Sequence, residues 1–177
     1  MLEGRTVALA ALDASEVSAE YVNWFNDPVT FRYLGSKFPQ TTTSVRQYVE
    51  GVKPPNLICK ILRKEREFQH IGNISLYNFS PVHRRMELGV VIGVAEARGQ
   101  GFGREACSLI IQHAFDHLNL HKVTAGTVVD NVGMRSVFLK LGFTIEGTLL
   151  EHYYLEGRYL DYHVFGLRCG KFLPCHA

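Results

Sequence analysis

The residues best suited to chemistry form one run, Arg98-Gly99-Gln100-Gly101-Phe102-Gly103, followed by Arg104. Glycines let a backbone approach a ligand closely and adopt positive φ. The apolar run Leu88-Gly89-Val90-Val91-Ile92 precedes them and reads as a strand. After them Ala106, Ile110, Ala114 and Leu118 recur at i, i+4 spacing, one face of an amphipathic helix. A strand that delivers glycines to a helix N-terminus builds an anion site, because the first turn leaves its N–H groups unpaired. The helix macrodipole adds roughly +0.5 charge there, and Arg98 and Arg104 flank the site. A phosphate-bearing ligand is the natural occupant; the blander reading is a glycine turn that only packs helix on strand.

Spacing narrows the choice of ligand. A P-loop needs two glycines with four residues between them and then Lys-Ser/Thr, and no such run exists. Gly101-Phe102-Gly103-Arg104-Glu105-Ala106 does fit the dinucleotide pattern G-x-G-x-x-A, with Asp130 near where a ribose-binding acid belongs. Against that pattern, Val94-Ala95-Glu96-Ala97 separate the strand from the glycines. Too little chain also follows for the remaining parallel strands and a substrate domain. The better fit is Arg/Gln-x-x-Gly-x-Gly, whose successive N–H groups wrap a pyrophosphate.

These blocks resemble the GNAT acetyltransferases, in the RimJ/RimL-like branch that includes spermidine and ribosomal-protein acetyltransferases. Residues 98–103 resemble that family's acetyl-CoA signature. Residues 131–143, Asn131-Val132-Gly133-Met134-Arg135-Ser136-Val137-Phe138-Leu139-Lys140-Leu141-Gly142-Phe143, resemble its Asn-initiated helix closing in Leu-Gly-Phe. Glu146-Gly147 and Gly157-Arg158-Tyr159-x-Asp161 resemble the ending of this branch. The resemblance covers roughly residues 5–170, with the three blocks in order.

What the resemblance implies is transfer of an acetyl group from acetyl-CoA, as co-substrate and without a metal, to a primary amine. The cofactor is expected along Val91, Ile92 and Gly93, where the family's strand splays, with Gly93 suited to close backbone approach. Arg98, Gly99, Gln100, Gly101, Phe102, Gly103 and Arg104 are expected on its phosphates, and Asn131 on its pantetheine arm or simply as a helix cap. Glu87 stands sixteen residues before Gly103, the offset of the family's base glutamate. Beside apolar Leu88, a raised proton affinity would suit it to take the ammonium proton through water; otherwise it is a surface carboxylate paired with Arg84 or Arg85. Glu146, Glu151 and His152 are reserve bases. The sequence departs from the family at Phe138, where many members carry a proton-donating tyrosine, and at Met134, where a serine often stands. The thiolate would then be protonated by water or leave unaided.

Other candidates carry less. His113 and His117 lie four apart on the helix, but no third ligand accompanies them, so solvent-facing side chains are expected rather than a metal site. Trp24, Phe25, Tyr33 and Phe38 suit either an acceptor pocket or core.

The elements needed to position these groups follow from the same chain. Residues 5–12 read as a strand, and Asp13 or Ser15 caps a helix through Asn26, which Asn26-Asp27-Pro28 breaks. Thr41 to Ser44 cap a second helix. Residues 57–62, 70–77 and 87–92 read as an antiparallel series. The central helix ends near Leu118; residues 122–129 make a strand, 134–141 a short helix with Gly142 beyond it, and 144–154 with 159–167 a hairpin. This is an α+β, GNAT-like three-layer fold: a mixed, mostly antiparallel sheet flanked by helices, in one domain spanning residues 1–177.

The 177 residues are 46% apolar and 20% charged, with a net charge of +2, ordinary for a globular enzyme and without the basic stripe of a nucleic-acid binder. No run approaches the ~20 apolar residues of a membrane span. Cys59, Cys107, Cys169 and Cys175 lack metal or disulfide spacing, which suits a cytoplasmic setting. The expected partner is a small-molecule or peptide amine, whether a protein N-terminus, a polyamine or an amino-sugar, with room for a homodimer. Two other classes remain: a non-catalytic acyl-CoA-binding protein, suggested by Phe138, and an NAD-dependent oxidoreductase.

Overall fold

The computed structural model describes residues 1–34 and 38–175. Its framework is an eight-stranded sheet: β1 (Leu2–Glu3), β2 (Val7–Ala11), β3 (Leu57–Arg63), β4 (Gln69–Ser80), β5 (Arg85–Ile92), β6 (Lys122–Val128), β7 (Thr144–Leu155) and β8 (Arg158–Arg168). The order is β1-β2-β3-β4-β5-β6-β8-β7. Every neighbouring pair is antiparallel except β5 and β6. That parallel step needs a crossover, which the central helix supplies. The helices are α1 (Ala19–Trp24), α2 (Pro28–Phe31), α3 (Thr42–Gly51), α4 (Phe102–Asp116) and α5 (Val132–Lys140).

Alternation along the strands assigns the two faces. Ile74, Leu76, Met86 and Leu88 point into the main core beneath α4 and α5, where they meet Ala106, Ile110 and Phe138. The opposite face carries a smaller cluster, in which Tyr21, Trp24, Val45 and Val49 of α1 and α3 pack over Ile58. Helix, sheet and helix thus form three layers, as the sequence predicts.

One expectation changes. The helix expected from Asp13 to Asn26 is two pieces, a 3-10 turn at Ala14–Glu16 and then α1. Asp13 and Glu16 close a capping box on the first piece. Val17 then runs extended, and Ser18 starts a fresh cap by accepting the Tyr21 N–H at 3.1 Å. Two good N-caps five residues apart compete, and each nucleates its own turn. Thr41 caps α3 as expected.

Candidate active site

The glycine run forms a cradle at the start of α4. Gly99 and Gly101 have φ of +74° and +91°, and the space where a Cβ would stand is empty at both. Gly101 is the N-cap of α4. Among the described residues, the backbone N–H groups of residues 99–104 have no hydrogen-bond partner, and the first donor back to the loop is Glu105, to the Gly101 carbonyl at 3.1 Å. Six unpaired donors at the positive end of a fifteen-residue helix make a site for an anion such as a pyrophosphate. Phe102 contributes only its N–H; its ring is buried, with the Arg63 guanidinium 5.1 Å from its centre.

Beside the cradle the sheet opens. β5 and β6 are paired only from Arg85/Lys122 to Glu87/Thr124. Beyond Glu87, residues 88–92 keep β4 on one side and, among the described residues, have no strand on the other. An edge with free N–H and C=O groups can take an extended amide chain as an added strand.

At the end of that edge, Arg98 acts as a clamp. Its Nε donates to the Ile92 carbonyl at 3.1 Å, and its Nη2 to the Gly93 carbonyl at 2.8 Å and the Thr30 hydroxyl at 2.6 Å. Asp27, the N-cap of α2, lies 3.6 Å from the same nitrogen. The Arg98 N–H donates to Ala95. The phosphate contact expected of the Arg98 side chain therefore does not match this geometry, in which the guanidinium joins the end of β5 to α2. Gly93 likewise gives its N–H to the Ile71 carbonyl at 2.9 Å. Its bare Cα is required by the Trp24 ring, which occupies the place a Cβ would take. Gln100 reaches back to the Glu96 carbonyl, and Arg104 is exposed beside Arg5 and Glu105 in a groove of about 260 Å³.

Glu87 sits where the two strands part. Tyr77 lies directly opposite it on β4. The Tyr77 hydroxyl donates to Glu87 Oε1 at 3.0 Å and Asn78 Nδ2 to Oε2 at 3.1 Å, so the carboxylate is half-buried and fixed at both oxygens. Neither Arg84 nor Arg85 pairs with it among the described ion pairs. Burial, then the Glu87 charge, push the Tyr77 hydroxyl above the tyrosine range, so it stays a donor. Sequence reading missed Tyr77, because the partner across a strand pair is known only once the register is known.

Tyr77 also walls a pocket of about 430 Å³ on the α1/α3 face of the sheet, next to residues 89–91. Its apolar walls include Phe25, Val45 and Ile58, and its polar ones Gln40, Asn73 and Ser75. Phe25 is thus the one of the four suspected aromatics that lines it; Trp24 is core, and Phe38 is exposed.

The remaining candidates have other partners. Asn131 caps α5, its Oδ1 accepting the Met134 N–H at 3.2 Å. Phe138 is buried, with its ring 5.1 Å from those of Phe143 and Phe165. Asp130, the ribose acid of the dinucleotide reading, is paired with Arg158 at 2.6 Å. Of the reserve bases, Glu146 pairs with Lys122 and Glu151 and His152 are exposed. No group of metal-binding side chains occurs among the described residues. Among the described residues, no helix is long and apolar enough to cross a membrane.

Comparison with known proteins finds relatives over most of the chain. The family described as "Acetyltransferase (GNAT) domain" matches residues 7–144. An uncharacterized N-acetyltransferase of Bacillus subtilis is 26% identical over 171 residues, 94% of this chain and 96% of that one. A spermidine N(1)-acetyltransferase of Vibrio cholerae is 33% identical over 91 residues, about half of each chain (51% and 52%). The crystal structure of a Vibrio cholerae spermidine N-acetyltransferase with CoA and spermine superposes with a TM-score of 0.85 at 23% identity, covering 94% of this chain and 97% of that one.

Proposed function

This chain belongs to the GNAT acetyltransferase family, and on that footing we propose that it acetylates the primary amine of an acceptor by direct attack, with both substrates bound at once. Acetyl-CoA supplies the acetyl group, activated as a thioester. The residues present suit that ligand: the unpaired N–H groups of residues 99–104 would hold its phosphates, and the open edge of β5 its amide-bearing arm. In the transfer, a carbon–nitrogen bond forms as the carbon–sulfur bond breaks. The amine must first lose a proton, and Glu87 is the group we assign to take it. The Tyr77 hydroxyl stands between pocket and carboxylate and holds Glu87 Oε1. An unpaired N–H on the β5 edge would steady the developing oxyanion, a contribution typically worth about 10²–10³ in rate. Phe138 has no proton to give, so in this reading the departing sulfur is protonated by solvent or leaves unaided as the thiolate.

The single observation behind this reading is the adjacency of three features: the anion cradle, the splayed β5 edge and a carboxylate fixed at the point of splay. We treat residues 1–177 as one domain, since β7 and β8 extend the same sheet beyond the family match. The free cysteines suit a reducing compartment, and we place the reaction in the cytoplasm. The test is incubation with acetyl-CoA and a panel of primary amines. Release of CoA thiol and a product carrying one added acetyl group are expected; thiol release that no amine accelerates would sink the assignment.

A further inference from the structure

We propose that the acceptor is a monoamine on a neutral, mainly apolar body bearing a carbonyl, as in the amide of an apolar amino acid. This rests on the acetyltransferase reading and narrows its substrate. Among the described residues that line the 430 Å³ pocket, not one is charged. A polyamine carries further ammonium groups besides the one that reacts. Each would need a carboxylate or water, since burying an unpaired cation is costly. The nearby carboxylate is Glu87, beside the pocket and already holding Tyr77 and Asn78. One amine is therefore provided for, and a second is not.

Two buried polar atoms bear on the same choice. Tyr21 and Asn73 both line the pocket and are 1% and 5% exposed. Among the described residues, the Tyr21 hydroxyl and Asn73 Nδ2 have no hydrogen-bond partner. Asn73 Oδ1 is taken by His70 Nε2 at 2.8 Å, which leaves the NH₂ group unsatisfied. That group is a donor, so an ammonium cannot satisfy it and a carbonyl oxygen can. Burial keeps the Tyr21 hydroxyl protonated, so it can donate to a carbonyl as well as accept from an ammonium, and the choice between carbonyl and ammonium falls to Asn73. Buried groups left unpaired lose affinity for any ligand that cannot meet them. A pocket of this size suits one small molecule or one residue with its backbone.

The experiment compares phenylalaninamide with spermidine, by calorimetry on the CoA-bound protein and by CoA-thiol release with acetyl-CoA. Phenylalaninamide is expected to bind at least tenfold more tightly and to show at least tenfold higher kcat/KM. A short peptide beginning with phenylalanine, run alongside, tells a peptide N-terminus from a free small amide by which is the better substrate. Gln40→Glu places a carboxylate in the pocket wall at unchanged size, and spermidine binding should rise several-fold. Spermidine matching phenylalaninamide in the wild type, or neither amine binding, would overturn the inference. Tenfold tighter binding of phenylalaninamide without turnover would uphold it while refuting the acetyltransferase reading.

Discussion

Glu87 and Phe138 divide the proton handling unequally, because one carries a carboxylate and the other no exchangeable proton. Glu87→Gln keeps the side-chain shape that accepts from Tyr77. It should lower kcat by roughly 10²–10⁴, the reach of general-base catalysis, and leave acetyl-CoA affinity nearly unchanged. Steady-state kinetics should show the defect shrinking as pH rises and the amine arrives already deprotonated. Wild-type rates in Glu87→Gln at neutral pH would move the base elsewhere. Phe138→Tyr adds a hydroxyl to a ring that is 2% exposed and packed against Phe143 and Phe165. Unless it meets a partner, it should cost about 1–3 kcal/mol. Any gain in kcat should be modest, and thermal melting beside kinetics separates the two effects. Gly101→Val meets open space but a φ of +91°, so the penalty is backbone strain of order 1–3 kcal/mol plus a branched side chain in the anion cradle. Acetyl-CoA affinity should fall at least tenfold in calorimetry, with circular dichroism unchanged.

At the scale of elements, the site depends on keeping β5 apart from β6 while holding its far end still. Arg98 performs the second task through the carbonyls of Ile92 and Gly93 and the hydroxyl of Thr30. Hydrogen bonds from a charged donor are worth about 1.5–3 kcal/mol. The Asp27 contact adds little, since it is 3.6 Å long and the Asp27 side chain is 43% exposed. Arg98→Ala should therefore destabilise the protein by about 1–3 kcal/mol in urea denaturation. It should weaken acetyl-CoA binding less than Gly101→Val does, because the donors of the cradle are backbone. The reverse order would make Arg98 a direct phosphate ligand. The α4 stripe needs no such device: Ala106, Ile110 and Ala114 are fully buried, as their spacing predicts.

Across the whole molecule, one histidine packed against the smaller core contributes to the response to pH. His70 packs edge-on against Trp24, centroids 4.9 Å apart, and bonds to Asn73. Burial holds its imidazole below the ordinary histidine range. The unfolded chain then binds the proton more readily than the folded one. The stability tied to neutral His70 is whole above the unfolded value near ~6.5 and is lost as pH falls through the lower folded value. The melting temperature should thus drop between neutral pH and pH 5, and His70→Gln should flatten that part of the profile. An unchanged slope would show that other groups set it.

Local signals in the sequence were enough for the glycine loop, the α4 stripe, the Thr41 cap and the three-layer α+β order, because each depends on residues within one or two turns of each other. The break between Asp13 and Asn26 was less legible, since two N-caps compete there and packing of Tyr21 and Trp24 decides between them. Tertiary structure alone decided what the side chains reach. Strand register set Tyr77 against Glu87. Chain crossing brought Thr30, 68 residues away, to Arg98, and made Gly93 a seat for Trp24. The uncharged pocket belongs to the same class: its walls come from α1, α3, β3, β4 and β5, and no single stretch of sequence contains the surface they make.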